Sequence, residues 1–182
     1  IDRIYVGNID NVGEIALIGV GVCAPITTLI TSFGFWIGLG GAPMFSMALG
    51  AKKYDEAKRI LANALIMLLG ISTLLIIFFY SFGKPLLYFF GASEKTYIYA
   101  RNYLYVYLIG TYFSILTLGL NQYLIAQGES IKAMMTTIIG CILNVILDPI
   151  FMYAIKLDTI GAALATVISQ GVSFGFVLFL LI

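Results

Sequence analysis

Residues 15–51, 61–83, 102–128 and 159–182 contain no Asp, Glu, Lys or Arg, and residues 133–155 carry a single charge, Asp148. A helix that crosses the hydrocarbon layer of a membrane needs about 20 mostly apolar residues, and each of these runs is long enough. Inside lipid every backbone N–H and C=O must find a partner within protein, so helices and closed barrels are the spanning structures available. No run alternates apolar and polar residues as a barrel strand does. The expected fold class is all-α, a polytopic transmembrane helix bundle. Composition agrees, with 61% of residues hydrophobic, 10% charged and a mean hydropathy of +1.03, against about 25% charged in a soluble domain.

A stub over residues 1–9 precedes the first long apolar segment, 14–49. That segment exceeds one straight span, so it must tilt or extend into water. Pro25 and Pro43 are its candidate kinks, and Gly50 its candidate C-cap. Asp55 is the expected N-cap of a helix over residues 56–82, which Lys84-Pro85 interrupts. Ser93 is the expected N-cap of a helix over 94–127, and helices over 130–155 and 160–182 follow. The total is a stub plus five helices. The basic cluster Lys52, Lys53, Lys58 and Arg59, with Lys132 one loop further on the same side, assigns that side to the cytoplasm. Small residues at Gly34 and Gly38, Gly40 and Gly41, and Gly171 and Gly175 are expected to let helices approach closely. Cys23 and Cys141 read as small buried hydrophobes, not as a disulfide or metal pair. The chain opens on Ile1 and closes at Ile182 inside an apolar run, so the expectation is a piece of a longer protein.

Asp148 is the residue that needs a reason. A carboxylate at membrane depth costs about 2.5–3.5 kcal/mol on insertion scales. Asn144 lies four residues earlier, on the same helical face. Asp2 in the stub, Asn121 in GLNQYLIAQG and Thr166 in ATVISQ complete a set of membrane-depth polar groups, with Gln170 and Ser173 following on the face of Thr166. Desolvation penalises the charged form of an acid, while cations and amide donors favour it. Two nearby acids would couple their titrations. Such a group is bistable, which lets a proton or Na⁺ drive a conformational change. Oxygen ligands from Asp, Asn and Thr also suit a hard cation.

Each of these residues also has a plainer reading. A lone Thr, Asn or Gln in a membrane helix commonly holds two helices together. Asp2 and its neighbour Arg3 could pair, or Arg3 could reach outward. Tyr97 and Tyr99 fit an interfacial belt. Tyr103, Tyr107 and Tyr112 lie deeper on the same helix and are weaker candidates for a cavity that stacks flat or cationic organic molecules, with packing as the alternative. The net charge of +1 gives no argument for nucleic acid. There is no His, hence no usual catalytic base or commonest metal ligand. No cofactor and no enzymatic activity are expected.

The opening IDRIYVGNI, the stretch GFWIGLGGAPMFSMALGAKKYDEAKRILANA, the link FGASEKTYIYARNYL, the run GLNQYLIAQGESIKAMMTTIIGCILNVILDPIFMYAI and GAALATVISQ together resemble the multidrug and toxic compound extrusion family. The match is closest to its bacterial drug-efflux branch. The resemblance implies a twelve-helix transporter of two six-helix lobes. Residues 1–182 would then be a partial N-terminal transmembrane lobe, from the end of helix one through helix six, with the C-terminal lobe outside this chain. It implies exchange of small organic, often cationic, drugs for H⁺ or Na⁺ across a bacterial plasma membrane by alternating access. It also implies a cation or proton site at Asp2, Asn121, Asn144, Asp148 and Thr166, with Na⁺ held by Asp2, Asn144, Asp148 and Thr166 if Na⁺ is the coupling ion. Partners would be small organic substrates, membrane lipid and the protein's own C-terminal lobe. The alternative is a flippase of lipid-linked oligosaccharides, which would want a basic central cavity for phosphates. A membrane scaffold whose polar residues are only interhelical contacts is the remaining reading.

Overall fold

The computed structural model describes residues 2–9, 13–155 and 157–181, with side chains from residue 4 onward. Helix α1 spans Asp2–Gly7, α2 Gly13–Val22, α3 Ala24–Gly50, α4 Tyr54–Phe89, α5 Glu94–Ala126, α6 Ser130–Pro149 and α7 Asp158–Leu181. A π-helical turn, Ile150–Ala154, extends α6. Among the described residues five helices are long and apolar enough to cross a membrane: α3, α4, α5, α6 with its π-turn, and α7. Their outward faces carry exposed Met67, Leu74, Ile77, Phe89 and Phe179. Water would tolerate so broad an apolar surface poorly, and lipid covers it without cost.

The bundle is built around α5. This helix packs against α2, α3, α4 and α7. It buries 61% of its most apolar window, against 17–22% for the other four. Its start is well determined locally. Ser93 Oγ accepts from the Thr96 backbone N–H, and Thr96 Oγ1 accepts from the Ser93 N–H, so two orphan donors of the first turn are satisfied reciprocally. The approach of α3 to α5 depends on Gly38. A Cβ there would sit 2.7 Å from the Gly119 carbonyl oxygen, so only a glycine lets the two backbones meet. Gly34 serves the same contact one turn earlier, against Ile115. Gly171 and Gly175 do not: the first has Phe113 at ordinary contact distance, and the second faces open space.

Several boundaries differ from expectation, each for a local reason. The 14–49 segment divides at Cys23, two residues before Pro25, whose ring nitrogen has no hydrogen for the Gly21 carbonyl. Pro43 leaves α3 unbroken, and its side chain faces outward. Gly50 is the last helical residue of α3, and the left-handed position falls on Lys52, at φ 58°. Helix α4 starts at Tyr54 with Lys53 at its cap, which puts Asp55 and Glu56 in the first turn, where their charge suits the helix dipole. Lys84-Pro85 does not end α4, which continues to Phe89. One lost backbone bond is a small debt when the surrounding turns are anchored by Gly83 against Tyr105 and by fully buried Leu87.

Candidate functional site

Helix α6 presents Thr136, Gly140, Asn144 and Asp148 at intervals of four, so all four lie on one face. That face meets α7. Contact is possible because Gly140 has no side chain: a Cβ there would collide with Ser173 Oγ. Ser173 Oγ donates instead to the Thr136 carbonyl at 3.1 Å, tying the two helices near one end of the stripe.

At the other end sits Asp148, fully buried. It lies about 27 Å along the axis from Ser130 and about 10 Å from the 155–157 link, at 1.5 Å per residue. Asn144 Nδ2 lies 3.4 Å from Asp148 Oδ1 and 3.4 Å from Thr166 Oγ1 on α7. Its two amide hydrogens serve those two oxygens. The atom Asn144 has left to offer a cation or a substrate is its carbonyl oxygen. Thr166 Oγ1 in turn donates to the Ala162 carbonyl at 3.0 Å, which fixes its lone pairs toward Asn144.

Asn121 reaches the same region from α5. Thr136 Oγ1 lies 2.9 Å from Asn121 Oδ1 and 2.7 Å from the Ala133 carbonyl. Thr136 has one hydroxyl hydrogen, so the Asn121 amide oxygen and the Ala133 carbonyl share it as acceptors. Asn121, Asn144, Thr166 and Gln170 all line one cavity of about 220 Å³ between α5, α6 and α7. Thr117, Thr137, Ser169 and Ser173 complete its polar wall. Asp148 stands behind this cavity, reached through Asn144.

The backbone following Asp148 is unusual. Pro149 cannot donate to the Val145 carbonyl, and the chain widens into the π-turn, with Ile155 N–H donating to the Ile150 carbonyl at 3.0 Å. Such turns inside α-helices are frequent at functional sites. The start of α7 presses against the π-turn: a Cβ on Gly161 would lie 2.9 Å from the Phe151 carbonyl. Tyr153 Oη donates to the Tyr5 carbonyl at 2.8 Å, which holds α1 against this end of α6. Asp2 belongs to α1, and α1 packs on α6 and α7; its side chain lies outside the described residues.

The expected site residues thus separate. Asn144, Asp148 and Thr166 form one connected cluster, and Asn121 and Gln170 share its cavity. Tyr103 and Tyr107 are buried and stack on each other, centroids 6.0 Å apart. Tyr112 pairs with Thr73 Oγ1 at 3.0 Å. None of the three lines the polar cavity, because α5 is surrounded and turns these rings toward neighbouring helices. Cys23 is buried as expected, with its thiol 3.3 Å from the Ala100 carbonyl, but Cys141 is exposed and lines the polar cavity. Thr136 and Ser169 are polar groups of the site that reading the sequence missed. The four-residue spacing of Thr136, Gly140, Asn144 and Asp148 was the signal for the first. Among the described residues no group of three His, Cys, Asp or Glu is placed to hold a metal. The donors are oxygens of carboxylate, amide and hydroxyl, a set that fits H⁺ or a hard monovalent cation.

Residues 1–150 match the family model MatE. The chain is 30% identical over 169 residues to the multidrug export protein MepA of Staphylococcus haemolyticus, covering 93% of this chain and 37% of that protein. It superposes on the inward-facing conformation of a multidrug resistance MATE family transporter of the MOP superfamily with a TM-score of 0.94 at 27% identity, covering 100% of this chain and 40% of that one. A MATE structure in the bent conformation gives a TM-score of 0.91 at 26% identity, over 98% of this chain and 40% of that one. The chain spans a little over a third of the length of the curated relatives it matches.

Proposed function

Since the chain belongs to the MatE family, we propose that it is the N-terminal transmembrane lobe of a cation-coupled antiporter. The whole protein would export small organic, often cationic, compounds across a bacterial plasma membrane in exchange for H⁺ or Na⁺. One observation carries the reading. A carboxylate that is fully buried in a membrane helix, Asp148, communicates through Asn144 with Thr166 on the neighbouring helix and with a polar cavity.

The residues have distinct roles. Asp148 carries the charge that changes. Asn144 is the bridge, because its single amide serves α6 and α7 together. Thr166 supplies a hydroxyl oxygen, Asp2 the second acid from α1, and Asn121 and Gln170 polar groups on the substrate side. When Asp148 is charged, the oxygens around it favour a bound cation and draw α6 and α7 together. When it is protonated or the cation leaves, that demand disappears and another helix arrangement becomes competitive. Moving such an equilibrium from 1:99 to 99:1 takes about 5.5 kcal/mol of differential binding. A buried charge that gains or loses its cation is a source of that size. Alternating access would then occur between this lobe and the C-terminal lobe.

The test is Asp148→Asn in the full-length protein, with ethidium efflux followed under imposed proton and Na⁺ gradients. The amide keeps the shape and one oxygen for Asn144, so expression and folding should be retained. Gradient-driven efflux should be abolished, and the gradient that drives the native protein names the ion. Retained efflux in the variant would sink the proposal. Dye immobile in both proteins under every gradient would transfer the lead to a lipid-linked substrate or to a scaffold.

A further inference from the structure

A second cavity lies on the opposite side of α5's partners, between α3 and α4, and it is almost wholly apolar. It encloses about 420 Å³ and is walled by Trp36, Gly40 and Met44 on α3 and by Ile60, Ala64 and Met67 on α4. A smaller cavity of about 250 Å³ continues it toward the α3–α4 link, sharing Met44 and Ile60 and ending at Lys53 and Glu56. The two make one trough that runs from the most basic segment of the chain to the middle of a spanning helix.

We infer that this trough holds one acyl chain of an anionic phospholipid, with its headgroup at the 52–59 cluster. Length supports this. Lys53 to Met67 is about 21 Å at 1.5 Å per residue, and one leaflet offers about 15 Å of hydrocarbon plus its headgroup layer. The trough therefore spans one leaflet and stops. Charge supports it too. Lys53 pairs with Glu56 at 3.2 Å, whereas Lys52, Lys58 and Arg59 make no ion pair among the described residues. Residues 51–59 carry four cations and two acids, a net +2, and basic residues at a membrane surface attract anionic lipid. The wall also fits a flexible chain. Trp36, Met44 and Met67 are 71%, 57% and 59% exposed, and adaptable methionines suit an occupant without fixed shape. Gly40 widens the trough: a Cβ there would meet nothing within 4 Å.

The experiment uses the full-length protein in nanodiscs, with phosphatidylglycerol or phosphatidylcholine bearing a diazirine on one acyl chain, followed by peptide mapping. The phosphatidylglycerol probe is expected to label residues 36–67 at least about fivefold more than the phosphatidylcholine probe, the effect of one basic residue near an anionic surface. Gly40→Leu fills the trough without removing any contact and should abolish labelling at Met44 and Met67. Lys52→Gln/Lys58→Gln/Arg59→Gln leaves the helices intact and should bring the two probes to parity. Equal labelling by both probes in the native protein would reduce the trough to ordinary lipid contact and overturn the inference. Absence of labelling there would mean that the remainder of the protein covers it, which overturns it equally. Neither result depends on whether the protein transports, so the inference fails or stands apart from the antiporter reading.

Discussion

Replacing Asn144 by Leu separates an ion site from interhelical glue. Leu has the same branched four-atom side chain as Asn and is no smaller, so it leaves no cavity, and it removes both amide hydrogens. In each contact the amide nitrogen lies 3.4 Å from its acceptor, longer than the usual 2.7–3.2 Å for N–H···O. Interhelical polar contacts in membranes average about 0.6 kcal/mol, so two at this length contribute about 1 kcal/mol. For a unit of 150–250 residues that corresponds to a Tm loss of about 2–4 °C. Transport should respond on a different scale. The variant loses the amide that links Asp148 to Thr166, together with a carbonyl oxygen available to the cation. Coupled efflux should fall tenfold or more, equivalent to about 1.4 kcal/mol or above. The assay pairs thermal unfolding of the purified full-length protein with dye efflux from proteoliposomes under a gradient. A Tm loss of 10 °C with efflux falling only in proportion to folded protein would make Asn144 structural. A small Tm loss with unchanged efflux would remove it from the coupling site. Either result refutes the reasoning.

Gly140→Ala should destabilise the α6–α7 contact by about 1–3 kcal/mol, the usual range for overpacking, because the new methyl collides with Ser173 Oγ; adding Ser173→Ala should recover part of the loss, as thermal unfolding of the single and double variants would read. Ser93→Ala removes one half of the reciprocal cap at the start of α5 and should cost about 1 kcal/mol, seen as a fall in Tm of about 2–4 °C with the dependence of efflux on its gradient unchanged.

Much of this protein is legible in its sequence, and the places where reading fails have physical causes. The number of membrane-length helices among the described residues follows from the lengths of the nearly charge-free runs, since bilayer thickness sets a minimum that the chain either meets or does not. Ser93 was legible because its cap is made within four residues. Asn144 and Asp148 were legible because four-residue spacing places them on one face of any helix. Helix ends at proline were not. Pro85 breaks one backbone bond, and whether the helix survives depends on neighbours such as Tyr105 and on burial of Leu87, which no local pattern encodes. The fate of Tyr103 and Tyr107 was illegible for a related reason: α5 is surrounded on most sides, and a helix apolar all round has no stripe to show which side faces a cavity.

The sequence by itself determined that this chain spans a membrane as helices, how many times, and that one acid lies deep within it, because hydrophobic length and the cost of a buried charge are local properties. Only the tertiary structure decided which polar groups meet. Gly140 against Ser173, Gly161 against the π-turn and Gly38 against Gly119 set helix separations to within a few tenths of an ångström. Those separations bring Asn144 within reach of Thr166 and set Asn121 opposite Thr136. A hydrogen bond forms or fails over that same distance, so the site exists only once the helices have packed.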